Sequence, residues 1–258
     1  MFDERSCCLE DASYSIFSES KTNYIIQNNE KMYPIYIFCL SGNCIASKAI
    51  QKFTKSPYSH AAIGFDLAFK NLYSFNFDNL RMGGFSNESL AGYIEELKSE
   101  DVYFKVNVFF VREKYYKIIR NRISYYNKHS KDTKYDFVNL VRNVFKIQVK
   151  VDSLKLVCSE FVAAVCNFAG ISIVNKPINL VTPKDLADAD KTNRKVYNLY
   201  EGTYKDFSVS SMRGKLAGIK HRGGFIRVST KNMTNENVTS NKKELYDMCT
   251  FLEYKEFK

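Results

Sequence analysis

The most constraining feature of the sequence is an unbroken run of apolar and β-favouring residues at positions 33–40. Residues 41–43 (Ser-Gly-Asn) interrupt this run, and Ile45, Ile50 and Phe53 follow at roughly helical spacing. A short apolar run that ends at a turn signal is typical of a buried strand. The pattern therefore predicts a strand, a turn and a helix, in that order.

The chain divides by composition into three parts, which predict one folded domain with an appendage at each end. Residues 1–31 are polar and lack a sustained period, and the acidic side chains there outnumber the basic ones, so we expect an extended or disordered acidic arm. Residues 32–190 contain the periodic segments and form the predicted domain. Residues 191–258 are polar and rich in lysine. We interpret them as a basic extension that can carry a strand or two, or bind a partner.

Three further strands are indicated within the predicted domain. Residues 60–65 and 72–77 are short and rich in apolar residues, and the turn between them at residues 66–71 is short enough to join them as an antiparallel hairpin. Residues 102–111 alternate between apolar and mostly polar positions, which is the period of a strand.

The helices are predicted from apolar residues three and four positions apart. This spacing indicates an amphipathic helix at residues 113–126 and a clear helix at residues 159–169, which Gly170 ends. A short helix is expected after Asp136. Strands and helices together predict an α+β fold in which an antiparallel sheet packs against helices.

Charge and cysteine content narrow the functional classes. The chain has 38 Lys and Arg against 28 Asp and Glu, a net charge of +10, but the charges are scattered and no basic helix or RNP-like motif accompanies them, so a nucleic-acid partner is not favoured. The seven cysteines are dispersed without a C-x-x-C pair, which argues for reduced thiols rather than a disulfide framework or a zinc site. We predict no metal and no cofactor.

The sequence lacks the signals of membrane insertion or export. No stretch approaches the roughly 20 apolar residues that cross a bilayer, and the N-terminus has neither a basic segment nor an apolar segment of the secretory type. We therefore predict a cytoplasmic protein without a transmembrane segment.

Cys158 is the best candidate for a nucleophile. It directly precedes the clearest predicted helix, with Ser159 and Glu160 in the first turn. The positive end of a helix dipole and a nearby imidazole both lower the pKa of a thiol, and the thiolate is the reactive form. Backbone N–H groups at the start of the helix can also stabilise an oxyanion.

His60 is the candidate base, because the other two histidines lie in polar loops. His60 opens the predicted strand at residues 60–65, whereas His129 and His221 are flanked by lysine and other polar residues. A strand gives the imidazole one fixed direction. His60 is therefore the histidine that we expect to pair with Cys158.

A third polar group usually orients such a base, and the hairpin limits the choice. If Asp66 pairs with Leu72, then Ser74 and Asn76 share the face of His60, since alternate residues of a strand lie on one face. Ser74 and Asn76 are therefore the candidates for the third position.

Four segments in this order resemble the circularly permuted branch of the NlpC-type papain-like superfamily, which includes the YiiX/YaeF-like proteins and relatives of lecithin:retinol acyltransferase. The resemblance covers residues 32–190. The four segments are Tyr-Ser-His-Ala-Ala-Ile-Gly at 58–64, Lys-Tyr-Asp-Phe at 134–137, Val-Cys-Ser-Glu-Phe-Val at 157–162 and Val-Thr-Pro-Lys-Asp-Leu at 181–186. At the third catalytic position relatives often have Glu or His, whereas this chain offers Ser74 or Asn76.

The resemblance implies a papain-like fold and thiol chemistry on an amide or thioester. The implied substrates are a peptide or isopeptide, cell-wall peptide, or a lipid acyl group, with Cys158 attacking the carbonyl and His60 moving the proton. The alternative is a non-catalytic structural or interaction protein on the same fold, such as a component of a virus or phage particle. It would contact its assembly partners through residues 1–31 and 191–258.

Overall fold

The apolar run at residues 33–40 lies in the central strand of an antiparallel sheet. The computed structural model of the chain describes residues 25–27, 30–77, 83–221 and 224–225, all of which belong to one unit, Asn23–Ser240. Strand β2 (Glu30–Leu40) pairs antiparallel with β3 (His60–Gly64) and β6 (Tyr103–Arg112). The predicted strand is confirmed.

The sheet extends outward from β2 through neighbours that are all antiparallel. Its order is β5-β4-β3-β2-β6-β9, and β1 also pairs with β2. The additional strands are β1 (Ile25–Gln27), β4 (Leu72–Asn76), β5 (Gly84–Glu88) and β9 (Val196–Thr203). Two small pairs lie apart from this sheet: β7 (Lys134–Tyr135) with β8 (Lys155–Leu156), in parallel, and β10 (Lys220–His221) with β11 (Gly224–Phe225).

Eight α-helices accompany the strands in the described part of the chain. They are α1 (Ile45–Thr54), α2 (Leu90–Leu97), α3 (Glu113–Lys128), α4 (Phe137–Val144), α5 (Cys158–Phe168), α6 (Pro183–Ala187), α7 (Ala189–Thr192) and α8 (Val209–Gly218). The predicted helices at residues 113–126 and 159–169 correspond to α3 and α5, and the short one after Asp136 is α4. None of the described helices combines the length and the apolar character that a membrane span requires.

Both faces of β2 are buried, which explains why its apolar run is unbroken. Ile37 and Cys39 belong to a first core cluster, on the face covered by α3, α5 and α6. Phe38 and Leu40 belong to a second cluster on the opposite face, which also contains buried residues of α2 and α8. A half-exposed strand would alternate between apolar and polar residues, but a strand covered on both faces has no polar position. The predicted α+β class, with an antiparallel sheet packed against helices, is confirmed.

The predicted domain boundary at residue 190 is wrong, because the sheet includes a strand beyond it. Strand β9 lies within the predicted basic extension, residues 191–258, and pairs with β6 along its length. Leu199, Met212 and Leu216 are buried in the second core cluster. The sequence conceals this role because β9 is an edge strand whose polar positions remain partly exposed. Residues 1–24 of the predicted arm and residues 226–258 lie outside the described residues.

The predicted register of the β3–β4 hairpin is displaced by two residues. Leu72 pairs with Gly64, not with Asp66. Asp66 lies instead in the connecting turn, where burial raises the pKa of its carboxyl and nearby backbone N–H groups, including that of Phe69, favour the carboxylate; the φ of Phe69 is +51°. Asp66 therefore stabilises the connecting turn and does not extend the ladder. Because the displacement is an even number, each side chain keeps the face on which the sequence placed it.

Candidate active site

Cys158 is the first residue of α5, and only 2% of its surface is exposed. The helix begins here because Val157 has extended backbone geometry and its N–H donates a hydrogen bond to Glu160 Oε2 at 2.9 Å. The Glu160 side chain thus satisfies an amide just ahead of the first turn. This arrangement fixes the thiol at the positive end of the helix dipole.

Three donors surround the Cys158 sulfur. The backbone N–H groups of Ala61 and Ser159 and the hydroxyl of Tyr135 lie close enough to it to favour the thiolate. Ser159 belongs to the first turn of α5, Ala61 to β3 and Tyr135 to β7. Donors on three separate elements therefore converge on one atom, as they do around an atom that carries negative charge.

The hairpin of β3 and β4 opens beside the thiol. Its ladder ends at the pair Ile63–Tyr73, and the next backbone groups of β3 lie next to side chains. The N–H of Ala61 lies near Cys158 Sγ, and the carbonyl of Ala61 accepts a hydrogen bond from the Ser74 hydroxyl at 2.6 Å. A side chain from α5 thus takes the place of a backbone partner in the sheet.

The Val-Thr-Pro-Lys-Asp-Leu segment supports α5 through its first turn. The hydroxyl of Ser159 donates to the carbonyl of Val181 at 2.6 Å. Thr182 then caps α6: its Oγ1 accepts from the Asp185 N–H, and Asp185 Oδ2 accepts from the Thr182 N–H. This reciprocal capping box starts α6 at Pro183. The segment is therefore a helix cap that is joined to the residue next to Cys158.

A buried carboxyl group lies in the first turn of α5, the helix that begins at Cys158. Glu160 is 1% exposed and accepts a hydrogen bond from the side-chain amide of Asn139. Asp136, which caps α4, is close enough to oppose ionisation of this carboxyl. Burial is the main cause that raises the pKa of Glu160 to about 8. Glu160 is thus tied to both α5 and α4, and it connects the Lys-Tyr-Asp-Phe segment to the nucleophile helix.

Burial also controls the protonation of the two proposed catalytic groups. It raises the pKa of the Cys158 thiol to about 11, against the opposite effect of the three hydrogen-bond donors. It lowers the pKa of His60 to about 4. Both groups are consequently neutral near pH 7, and the structure holds a thiol and an imidazole, not a thiolate–imidazolium pair.

His60 lines a small recess on the second face of the sheet, with a cavity volume of about 10 Å³. The ring of Tyr93 stacks on the imidazole, with 5.5 Å between centroids and 16° between planes. We call this recess the His60 pocket. Its polar lining residues are His60, Ser74, Asn76, Ser86, Glu88, Ser89 and Tyr93.

The structure brings three of the four predicted site residues into one pocket. Ser74 and Asn76 line the His60 pocket, as their shared face of β4 predicted. Neither forms a hydrogen bond with the imidazole among the described residues: Ser74 bonds to Ala61, and the Asn76 amide donates to Glu88. Cys158 does not line the pocket; its sulfur lies near the backbone of Ala61, the residue after His60, and no hydrogen bond among the described residues joins it to His60.

Three site residues were not identified from the sequence. Tyr135 lies in the Lys-Tyr-Asp-Phe segment, which carried the resemblance, but its contact with Cys158 depends on the β7–β8 pair. Glu88 and Tyr93 come from β5 and α2. The residues of β5, Gly-Phe-Ser-Asn-Glu, have no clear apolar alternation, so the pairing of β5 with β4 carries little sequence signal.

A buried cation lies on the first face of the sheet. Lys105, which is 1% exposed, forms ion pairs with Asp190 at 2.9 Å and Glu201 at 3.3 Å. The Tyr58 hydroxyl donates to Glu201 at 2.8 Å. Lys105 is paired across the strands with Cys39, a buried thiol whose pKa is raised first by burial and then by nearby Cys158. This network joins β6 to two segments at and beyond the predicted domain end.

Among the described residues, no group of three or more His, Cys, Asp and Glu side chains is arranged to hold a metal ion. Comparison with the models of known protein families gives no match. A search of curated protein sequences also finds no significant match.

Proposed function

We propose that the chain is a cysteine-dependent hydrolase that acts on an amide, peptide, thioester or lipid acyl bond. The position of Cys158 at the start of α5, with the N–H groups of Ala61 and Ser159 and the Tyr135 hydroxyl near its sulfur, carries the proposal. A buried structural cysteine needs no such donors, since a thiol packs as a small apolar group. Donors of this kind stabilise a sulfur that becomes negative, or an oxyanion formed next to it.

In the proposed reaction, Cys158 Sγ attacks the carbonyl carbon as His60 accepts the thiol proton. The oxyanion is stabilised by the N–H groups of Ala61 and Ser159, together with the Tyr135 hydroxyl. Collapse of the tetrahedral intermediate breaks the bond to the leaving group, which takes the proton from His60, and a thioester on Cys158 remains. Water, deprotonated by His60, then hydrolyses the thioester and restores the thiol.

The neutral state of the pair is compatible with this sequence. An imidazole with a low pKa is unprotonated near pH 7, but burial also opposes its protonation, so transfer of the thiol proton to His60 requires that substrate binding change the surroundings of both groups. Because no hydrogen bond joins His60 to Cys158 in the described residues, substrate binding must bring the imidazole and the sulfur together. His60 and Ala61 are consecutive in β3 and their side chains lie on opposite faces of the sheet, so this requires a rearrangement at the start of the strand.

Acylation by p-nitrophenyl acetate tests the proposal. In a Cys44→Ala background, which removes an exposed cysteine, mass spectrometry should detect an acetyl group on Cys158 with release of one p-nitrophenolate. Cys158→Ala should abolish the adduct, and His60→Ala should slow it by at least about a hundredfold, as expected for loss of a general base. Acetylation at an unchanged rate in His60→Ala, or no adduct on Cys158, would contradict it.

The second candidate is a non-catalytic structural or interaction protein on the same fold. Its support is the 2% exposure of Cys158 and the absence of a hydrogen bond to His60 among the described residues. A folded chain whose Cys158 stays unmodified by p-nitrophenyl acetate favours this candidate over the hydrolase.

A further inference from the structure

The His60 pocket is unusually rich in hydrogen-bond acceptors. Glu88 contributes a carboxyl group that already accepts a hydrogen bond from the side-chain amide of Asn76. Asn76 Oδ1 is buried and has no hydrogen-bond partner among the described residues. The hydroxyl of Ser86 also has none within bonding distance, although it is close enough to Glu88 to favour the carboxylate. Three oxygens from two adjacent strands therefore face a space that the described residues leave unfilled.

Buried polar atoms without partners carry an energetic penalty, so their presence in a recess points to a ligand. Leaving one such atom unbonded costs about 1–3 kcal/mol. A ligand that donates a hydrogen bond to Asn76 Oδ1 removes its penalty, whereas an acceptor ligand does not, because an amide oxygen only accepts; the Ser86 hydroxyl can accept or donate. The missing partner is a donor.

The electrostatics of the pocket favour a donor with a positive charge. Burial raises the pKa of Glu88 and nearby Glu96 adds to this effect, whereas Asn76 and Ser86 favour the carboxylate; no described Lys or Arg is among the groups that act on it. His60 does not repel a cation, because its imidazole is neutral near pH 7. This local environment contrasts with the net charge of +10 of the whole chain.

A primary ammonium group matches the number and position of the acceptors. It has three N–H donors, and the pocket offers three oxygens, on Glu88, Asn76 and Ser86. The geometry points to the His60 pocket as a binding site for a primary ammonium group carried by the substrate, close to the bond that is cleaved. The inference depends on the proposed function only in that it calls the bound molecule a substrate. It narrows the substrate class to amine-bearing peptides, with the ammonium on a lysine side chain or a free amino terminus.

Two matched pairs of probes separate these sources. The first pair is Nα-acetyl-lysine methylamide and Nα-acetyl-norleucine methylamide, which differ at the side-chain ammonium. The second is alanine methylamide and Nα-acetyl-alanine methylamide, which differ at the amino terminus. In NMR titrations of the full chain, the charged member of at least one pair should bind about tenfold more tightly than its neutral partner, the usual scale for a charge-assisted hydrogen bond.

Variants then locate the site. Glu88→Gln removes the charge but keeps the shape, and should reduce the preference to near parity. Ser86→Ala removes one acceptor and should weaken the preference in part, which provides a test if Glu88→Gln fails to fold. Glu95→Gln, which neutralises an exposed carboxylate on α2 outside the pocket, should retain the full preference.

The result that overturns the inference is equal binding of charged and neutral probes, no binding of either, or a preference that Glu88→Gln leaves intact. Cys158→Ala separates this result from failure of the proposed function, because Cys158 does not line the pocket. An ammonium preference that persists in Cys158→Ala, without any acylation of the parent chain, keeps the binding site and removes the hydrolase. Acylation without an ammonium preference does the reverse.

Discussion

At the scale of single residues, the site is defined by burial that opposes charge and by hydrogen bonds that favour it. Burial keeps Cys158 protonated and His60 neutral, whereas the donors around the sulfur would stabilise a thiolate. Glu160 shows the same opposition: the Val157 N–H and the Asn139 amide favour its carboxylate, but burial has the larger effect. Each of these groups therefore changes its charge only when its surroundings change.

Glu160→Gln should flatten the pH dependence of stability. The pKa of Glu160 is about 8 in the folded chain against 4.5 for the free side chain. Between these values the folded state holds a proton that the unfolded state has lost, so this stabilisation is fully present below pH 4.5 and is lost as the pH rises through 8. From pH 5 to pH 8, the free energy of unfolding should fall by about 2–4 kcal/mol more in the parent chain than in Glu160→Gln.

Urea denaturation at pH 5, 6.5 and 8 measures this difference. The comparison cancels the titration of other groups, including His60. Glu95→Gln, at an exposed position on α2, should follow the parent chain. If the free energy of unfolding changes with pH in the same way in the parent chain and in Glu160→Gln, the carboxyl has the same pKa in the folded and unfolded states, which contradicts the prediction.

At the scale of elements, the opening between β3 and β4 shapes the site. The strands pair normally near the turn and separate towards His60, where the Ser74 hydroxyl donates to the carbonyl of Ala61 and the Cys158 sulfur lies near the N–H of Ala61. Because Ser74 satisfies the free carbonyl of Ala61, the opening is compatible with a stable sheet. It also places a helix-borne thiol next to a pocket on the opposite face of the sheet.

Ser74→Ala should destabilise the fold more than Ser86→Ala. The two serines are directly opposite each other on β4 and β5, but Ser74 donates to the buried carbonyl of Ala61 at 2.6 Å and Ser86 has no partner among the described residues. Loss of the Ser74 hydroxyl should lower the free energy of unfolding by about 1–3 kcal/mol. Ser86→Ala should change it by less than about 0.5 kcal/mol. Equal losses in urea denaturation would contradict the assigned bond.

Helices and strands with a clear pattern of apolar residues were predictable from the sequence. The contacts between these elements were harder to predict. The run at residues 33–40 and the helix after Cys158 follow from apolar patterns that packing enforces. The two-residue displacement of the β3–β4 register did not follow from the sequence. An Asp that interacts with its own turn and an Asp that is paired in the ladder give the same sequence pattern. The faces of Ser74 and Asn76 survived the error because strand periodicity is two.

At the scale of the whole molecule, the sheet is stable only when both of its faces are covered. The first face is covered by α3, α5 and α6, but the second depends on α2 and on α8, which follows the edge strand β9. Lys105 reinforces this dependence, since its two carboxylate partners, Asp190 and Glu201, follow the cysteine helix in the chain. Composition suggested an appendage here because edge strands and surface helices expose polar residues. The average composition of residues 191–258 does not reveal that Leu199 and Met212 are buried.

Truncation tests this view of the domain. A chain that ends at Asp190 lacks Leu199, Tyr200, Met212 and Leu216, all buried in the second core cluster. Each buried side chain of this size contributes about 1.5–3 kcal/mol, and their sum rivals the 5–15 kcal/mol that stabilises a typical domain. The truncated chain also leaves Lys105 buried with one of its two carboxylates. We expect residues 1–190 to show no cooperative unfolding transition by circular dichroism.

The matched control is a chain that ends at Phe225, which keeps β9, α8 and both partners of Lys105. It should unfold cooperatively, with a midpoint close to that of the full chain. A cooperative transition in residues 1–190 would mean that β9 and α8 are an appendage, as composition alone suggested. Since the edge of β6 would then be exposed along its length, such a fragment should also self-associate through that edge, which size-exclusion chromatography would detect.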